Sequence, residues 1–122
     1  MDAEDIRDVF HQVARVSARR MFGGHGVHFE GVMIAIEADG ALWMRCDADT
    51  LPAFEARGLK PFIYHKNGKP YAMSYRELPA SAFDDPDELR GWVRLALDAA
   101  RRAQALQRPK RRAGEPAQRR RI

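Results

Sequence analysis

Gly26-Val-His-Phe-Glu-Gly-Val-Met-Ile-Ala-Ile-Glu-Ala-Asp-Gly-Ala-Leu-Trp-Met-Arg-Cys46 is the stretch on which the fold turns. Residues 27–30 alternate apolar and polar side chains, the period of a strand with one buried face. Gly31 permits a tight reversal into the apolar run 32–37. Ala38, Asp39 and Gly40 make a second turn, its Asp-Gly pair suited to positive φ, before residues 41–46. The pattern predicts three consecutive antiparallel strands.

Upstream, Ile6, Val9, Phe10, Val13 and Ala14 recur at helical spacing, which predicts an amphipathic helix over residues 4–16. Acids at Asp2, Glu4 and Asp5 and bases at Arg15, Arg19 and Arg20 complement the dipole of such a helix. Downstream, Asp47, Asp49 and Thr50 are candidate caps for a short helix carrying Leu51, Phe54 and Glu55 and stopped by Gly58. Residues 61–65 and 70–75 flank Lys66-Asn-Gly-Lys69, a hairpin signal. Asp84-Asp-Pro-Asp-Glu88 has the chemistry of a helix start, and Leu89, Trp92, Val93, Ala96, Leu97 and Ala100 form one stripe behind it. The expected fold class is α+β, an antiparallel sheet of about five strands with flanking helices in the order α-β-β-β-α-β-β-α. No 20–50-residue period repeats, which excludes a solenoid.

The 122 residues, 45% hydrophobic and 31% charged, suit one domain. The single cysteine, Cys46, excludes an intrachain disulfide and a four-cysteine metal site. The acidic start lacks the basic and apolar blocks of an export signal, and the apolar run 32–36 is far shorter than the roughly 20 residues that cross a bilayer. A cytoplasmic chain with no membrane contact is expected. Its charge is unevenly placed. Arg108, Lys110, Arg111, Arg112, Arg119, Arg120 and Arg121 face one acid, Glu115. Of 21 Lys and Arg and 17 acids, 14 and 16 remain in residues 1–107, a net charge of −2. We therefore expect a folded domain over 1–107 and a disordered Arg-rich tail over 108–122, able to attract nucleic acid without reading sequence.

Four blocks carry a family resemblance: Arg20-Met-Phe-Gly-Gly-His-Gly-Val27, Ala38-Asp-Gly-Ala-Leu-Trp43, Met73-Ser-Tyr75 and Asp84-Asp-Pro-Asp-Glu-Leu89. In order and spacing they resemble the N-terminal domain of the TfoX family of competence regulators, over about residues 13–102. The resemblance implies a compact α+β domain, found alone or joined to a C-terminal helical domain in regulators of DNA uptake. It lends no catalytic residue. Beyond Leu106 only the Arg-rich tail follows, so the two-domain pattern is not matched.

Residues with chemical potential are few. Gly23, Gly24, His25, Gly26 and His28 form a candidate ligand loop, although phosphate-cradling glycines normally precede a helix, whereas here a strand follows; a structural elbow leaving the first helix is the favoured reading. His25 and His28 point to opposite faces of a straight strand, so a metal site, even with Glu30, would need a kink at Gly26. His11 and His65 read as solvated. Cys46 reads as a small buried residue beside Arg45, and Ser74 lacks a nucleophile elbow. No catalytic residue, metal or cofactor is expected. Tyr64, Tyr71 and Tyr75 with Lys60, Lys66, Lys69 and Arg76 are the densest aromatic and basic mixture, a candidate partner or nucleic-acid surface. The expected function is a non-catalytic regulatory or interaction domain, with a protein partner, a homodimer through a strand edge, or nucleic acid as contacts. The alternative is a small-ligand protein or enzyme using the Gly23 to His28 loop.

Overall fold

Three two-residue turns with positive φ at both positions set the topology: Glu30-Gly31, Asp39-Gly40 and Asn67-Gly68. Such turns match the twist of paired strands and close tight hairpins. The computed structural model describes residues 1–21 and 23–114, with side chains through Gln107. Its elements are α1 (Ala3–Phe10), β1 (Ser17–Met21), β2 (Gly24–Phe29), β3 (Val32–Ala38), β4 (Ala41–Arg45), α2 (Leu51–Ala56), β5 (Pro61–Lys66), β6 (Lys69–Glu77), a 3-10 turn (Ala80–Asp84) and α3 (Pro86–Gly114). The strands form one antiparallel sheet in the order β1-β2-β3-β4-β6-β5. The α+β class holds, with six strands rather than five.

The extra strand comes from the expected first helix. α1 stops at Phe10 with His11 as its C-cap, and residues 17–21 pair with β2. From Ala14 to Arg19 burial alternates: Ala14 and Val16 are buried and Ala18 half-buried, while Arg15, Ser17 and Arg19 are exposed. That is a strand period, and hydrogen bonding to β2 outweighs the weak helical preference of Val and Ser. Arg15, Arg19 and Arg20 are thus not a helix C-terminus. Gly23 and Gly24 are not an elbow leaving a helix either, since they belong to the β1–β2 connection and to β2 itself. The starts of α1 and α3 are as expected, whereas Thr50, the N-cap of α2, makes no side-chain cap bond. Asp2 and Asp5 each accept from the other's backbone N–H, and Asp85 accepts from the N–H of Asp87 and Glu88 ahead of α3.

α1 and α3 cover one face of the sheet. Ile6 and Phe10 from α1, Leu89, Trp92 and Ala96 from α3, and Val27, Ile34, Leu42 and Met44 from the strands join in the core. Between Val27↔Ala35 and His28↔Met33 the β2–β3 register skips Ile34, a bulge in which Ile34 is fully buried. The opposite face follows from pairing: Gly26 beside Ile36, Ile36 beside Trp43, and Arg45 beside Tyr75. α3 continues in backbone to Gly114, so residues 108–114, expected within the disordered tail, lie on this helix despite Pro109. The expectation for residues 115–122 lies outside the described residues. Among the described residues no helix is long and apolar enough to cross a membrane.

Candidate nucleic-acid interface

The sheet is uneven in length. β4 pairs with β6 only at Tyr75, Arg76 and Glu77, whereas β5 and β6 pair from Pro61↔Arg76 to Lys66↔Lys69. The β5–β6 hairpin therefore runs on past the body of the sheet as a two-stranded ribbon. Residues 60–76 hold Lys60, Lys66, Lys69 and Arg76 and no acid. Lys66 and Lys69 sit directly across from each other beside the Asn67-Gly68 turn, an arrangement that costs stability through like-charge repulsion and concentrates positive potential at the tip. Lys60, Lys66 and Lys69 are exposed, His65 is exposed beside them, Tyr71 is 50% exposed and Ile63 39%.

The ribbon's root is fixed. Tyr75 is buried with the Arg45 guanidinium over its ring, 6.0 Å from the centroid, and burial pushes its hydroxyl pKa up. Arg76 donates to the Leu59 carbonyl at 2.9 Å and lies 3.8 Å from Glu55. Phe62 packs on Trp43 with ring centroids 5.3 Å apart. Arg76 and Tyr75 thus anchor the ribbon, and the three lysines with Tyr71 stay exposed along it.

The Gly23 to His28 loop does not converge on one site. His25 stands opposite Glu37 on the core face, its Nδ1 2.7 Å from Oε1, and Gly40 N–H donates to the other oxygen at 2.9 Å. Burial alone would push the Glu37 carboxyl up. Its hydrogen bonds to His25 and Gly40, with the His25 charge, outweigh that and hold it below the ordinary carboxylate value. A depressed folded pKa stabilises the native state above the unfolded value and loses that contribution as pH falls through the folded one. Unfolding midpoints in urea should therefore fall between about pH 6 and about pH 3 more steeply for the native chain than for Glu37→Gln. Equal slopes would contradict this role. His28 faces the other side of the sheet, as alternation expects. Gly24 and Gly26 are closed in by neighbours rather than open to a ligand: a Cβ would lie 1.9 Å from the Glu37 carbonyl oxygen at Gly24 and 2.6 Å from the Met21 sulfur at Gly26.

Burial also decides the cysteine question. Cys46 is 6% exposed and burial raises its thiol pKa, against the opposing pull of Arg76, the reverse of the lowering that activates a nucleophilic thiol. Ser74 is exposed, its carbonyl accepting from Cys46 N–H. His11 and His65 are exposed. Among the described residues no three His, Cys, Asp or Glu are grouped to hold a metal. Of the tail cations, Arg108, Lys110, Arg111 and Arg112 lie on α3 in backbone only, and Arg119, Arg120 and Arg121 are outside the described residues.

One feature escaped the sequence reading. Arg102 of α3 donates to both Asp47 oxygens, at 2.7 and 3.0 Å, and approaches Asp49 at 3.4 Å, tying the helix to the α2 approach and holding the Asp47 carboxyl below its usual value. The partners are 55 residues apart, and no local pattern signals them.

No curated protein matches the chain. The family model described as the TfoX N-terminal domain matches residues 8–100, from the second half of α1 through the buried stripe of α3. With that match covering the whole sheet, the chain belongs to the TfoX N-terminal domain family.

Proposed function

We propose that this domain is a non-catalytic regulatory module that holds duplex nucleic acid with the β5–β6 ribbon, the Arg-rich segment after residue 107 adding nonspecific attraction. Family membership supports a regulatory, competence-type role in general. The observation that carries the finer reading is the acid-free segment 60–76, presented as a two-stranded ribbon with Lys66 and Lys69 paired at its tip. A β-ribbon fits the major groove of B-DNA, about 12 Å wide. Lysines along it reach phosphates and release counterions, and Tyr71 supplies a rigid amphipathic ring for sugar and base edges. The groups that would suggest catalysis are engaged elsewhere: His25 with Glu37, and Cys46 inside the core. A cytoplasmic location goes with this reading.

Self-association through a sheet edge is a weaker reading, because the edge strand β1 carries Arg19 and Arg20 and β5 begins with Pro61. The test is fluorescence anisotropy of a labelled duplex of about two turns across a salt series. The expected log K against log salt slope has a magnitude of roughly 3 from the ribbon lysines, plus the tail's share. Replacing Lys60, Lys66 and Lys69 together by Gln should weaken binding about tenfold or more and lower the slope by about 3. A second full-length variant with the tail cations changed to Gln isolates the tail. Unaltered binding by the ribbon variant overturns the ribbon's role.

A further inference from the structure

A second cationic feature lies at the far edge of the sheet from the ribbon, where β1 is the terminal strand. Residues 14–19 read Ala-Arg-Val-Ser-Ala-Arg, and the strand period sends Arg15, Ser17 and Arg19 to the face turned away from the helices. Ser17 pairs with His28 and Arg19 with Gly26. Direct cross-strand partners share a face, so the His28 side chain lies on the same face as Ser17 and the two arginines. Each arginine lies two residues from Ser17, about 7 Å along the strand, which an arginine side chain can span. These side chains and the Glu30-Gly31 turn enclose an open cleft of about 450 Å³.

Its charge is uncompensated. Glu30, the one acid on the rim, is taken up by an ion pair with Arg101 of α3. Arg15 and Arg19 make no ion pair among the described residues. His28 makes no hydrogen bond among them either, and its Nδ1 is sealed from solvent without a partner. A buried ring nitrogen left without a partner is uncommon in a folded chain. Arg15, Ser17 and Arg19, with two guanidinium forks and one hydroxyl, line the same cleft as His28.

We propose that this cleft binds a phosphate group, free or as the monoester of a small metabolite, seated over the Ser17–His28 pair. Arg15 and Arg19 close on it from either side with paired N–H donors, Ser17 donates its hydroxyl, and the His28 side chain lines the cleft beside them. A tetrahedral phosphate presents oxygens in three directions and so meets donors from three sides, whereas a planar carboxylate meets one fork. The cleft, at about 450 Å³, leaves room for a small ester group. The site is independent of the ribbon, and loss of either leaves the other.

The test is a titration of the ¹⁵N-labelled full-length chain with inorganic phosphate and, separately, glycerol 3-phosphate, at constant ionic strength held with chloride. Saturable shifts are expected at the His28 ring and at the amides of residues 15–19 and 28–31. Tighter binding of the ester identifies a phosphorylated metabolite, and tighter binding of inorganic phosphate identifies the free ion. Arg15→Gln and Arg19→Gln, both exposed positions that leave the fold intact, should each weaken binding about tenfold, while Arg7→Gln on α1 changes nothing. Three results overturn the proposal: no saturation up to about 10 mM, equal weakening by Arg7→Gln and Arg19→Gln, or shifts at these residues with duplex DNA but with neither phosphate.

Discussion

Gly24→Ala is expected to cost at least about 3 kcal/mol, enough to leave the chain largely unfolded if it is as marginal as most small domains. The alanine Cβ would stand 1.9 Å from the Glu37 carbonyl oxygen, 3.0 Å from the Glu37 carbonyl carbon and 3.3 Å from the Ala38 Cα. All three are backbone atoms of β3, so no rotamer change makes room and the two strands would have to part. The parting falls next to the His25–Glu37 pair and at the Met21↔Gly24 end of β1, so the edge strand and the buried ion pair are disturbed together. Gly23→Ala one residue earlier is the contrast. Nothing lies within 4 Å of its Cβ, and the penalty is only that of φ +77°, about 1–2 kcal/mol. Urea denaturation followed by Trp43 and Trp92 fluorescence distinguishes the two, and equal midpoints would contradict the close approach of β2 to β3.

Phe54→Ala is expected to cost about 3–5 kcal/mol. α2 has six residues, and Thr50 makes no side-chain cap bond to it, so a helix of this length persists only through packing. Phe54 is its one buried side chain, fully enclosed, with its ring 4.8 Å from that of Trp92. Removing it empties the space between α2 and α3 and frees Trp92, whose Nε1 otherwise donates to Glu88 at 3.2 Å. Tyr71→Ala, which removes a larger ring from the ribbon, should stay within about 0.5 kcal/mol because that ring is half exposed. The same unfolding curves test both. A small Phe54→Ala effect would mean that α2 is not held by the core.

The hairpins were legible because Asp39-Gly40 and Asn67-Gly68 are local signals complete within two residues, and the start of α3 was legible because Asp85 and Pro86 carry their own geometry. β1 was hidden for a physical reason. Val13 and Ala14 satisfy the helical stripe of Phe10, while Ala14, Val16 and Ala18 satisfy a strand alternation, and the choice is made by β2, which no local window contains. Ser17-Ala-Arg-Arg has little strand preference of its own and pairs because β2 offers an open edge. The site followed the same division. Lysines and tyrosines of residues 60–76 were visible as a cluster, but that they project on a ribbon depends on β4 pairing with β6 over three residues only. The His25 and His28 separation was readable from alternation. That His25 would find Glu37, and that His28 would share a face with Arg15 and Arg19, needed the register of β1, β2 and β3.

Mapping backbone amides of the full-length chain during titration with a short duplex tests most directly whether the ribbon is the surface that meets nucleic acid. Saturable shifts centred on residues 60–76, reversed by added salt and lost when Lys60, Lys66 and Lys69 are changed to Gln, are the predicted result. Shifts confined to residues outside that segment, or none at low salt, would contradict it.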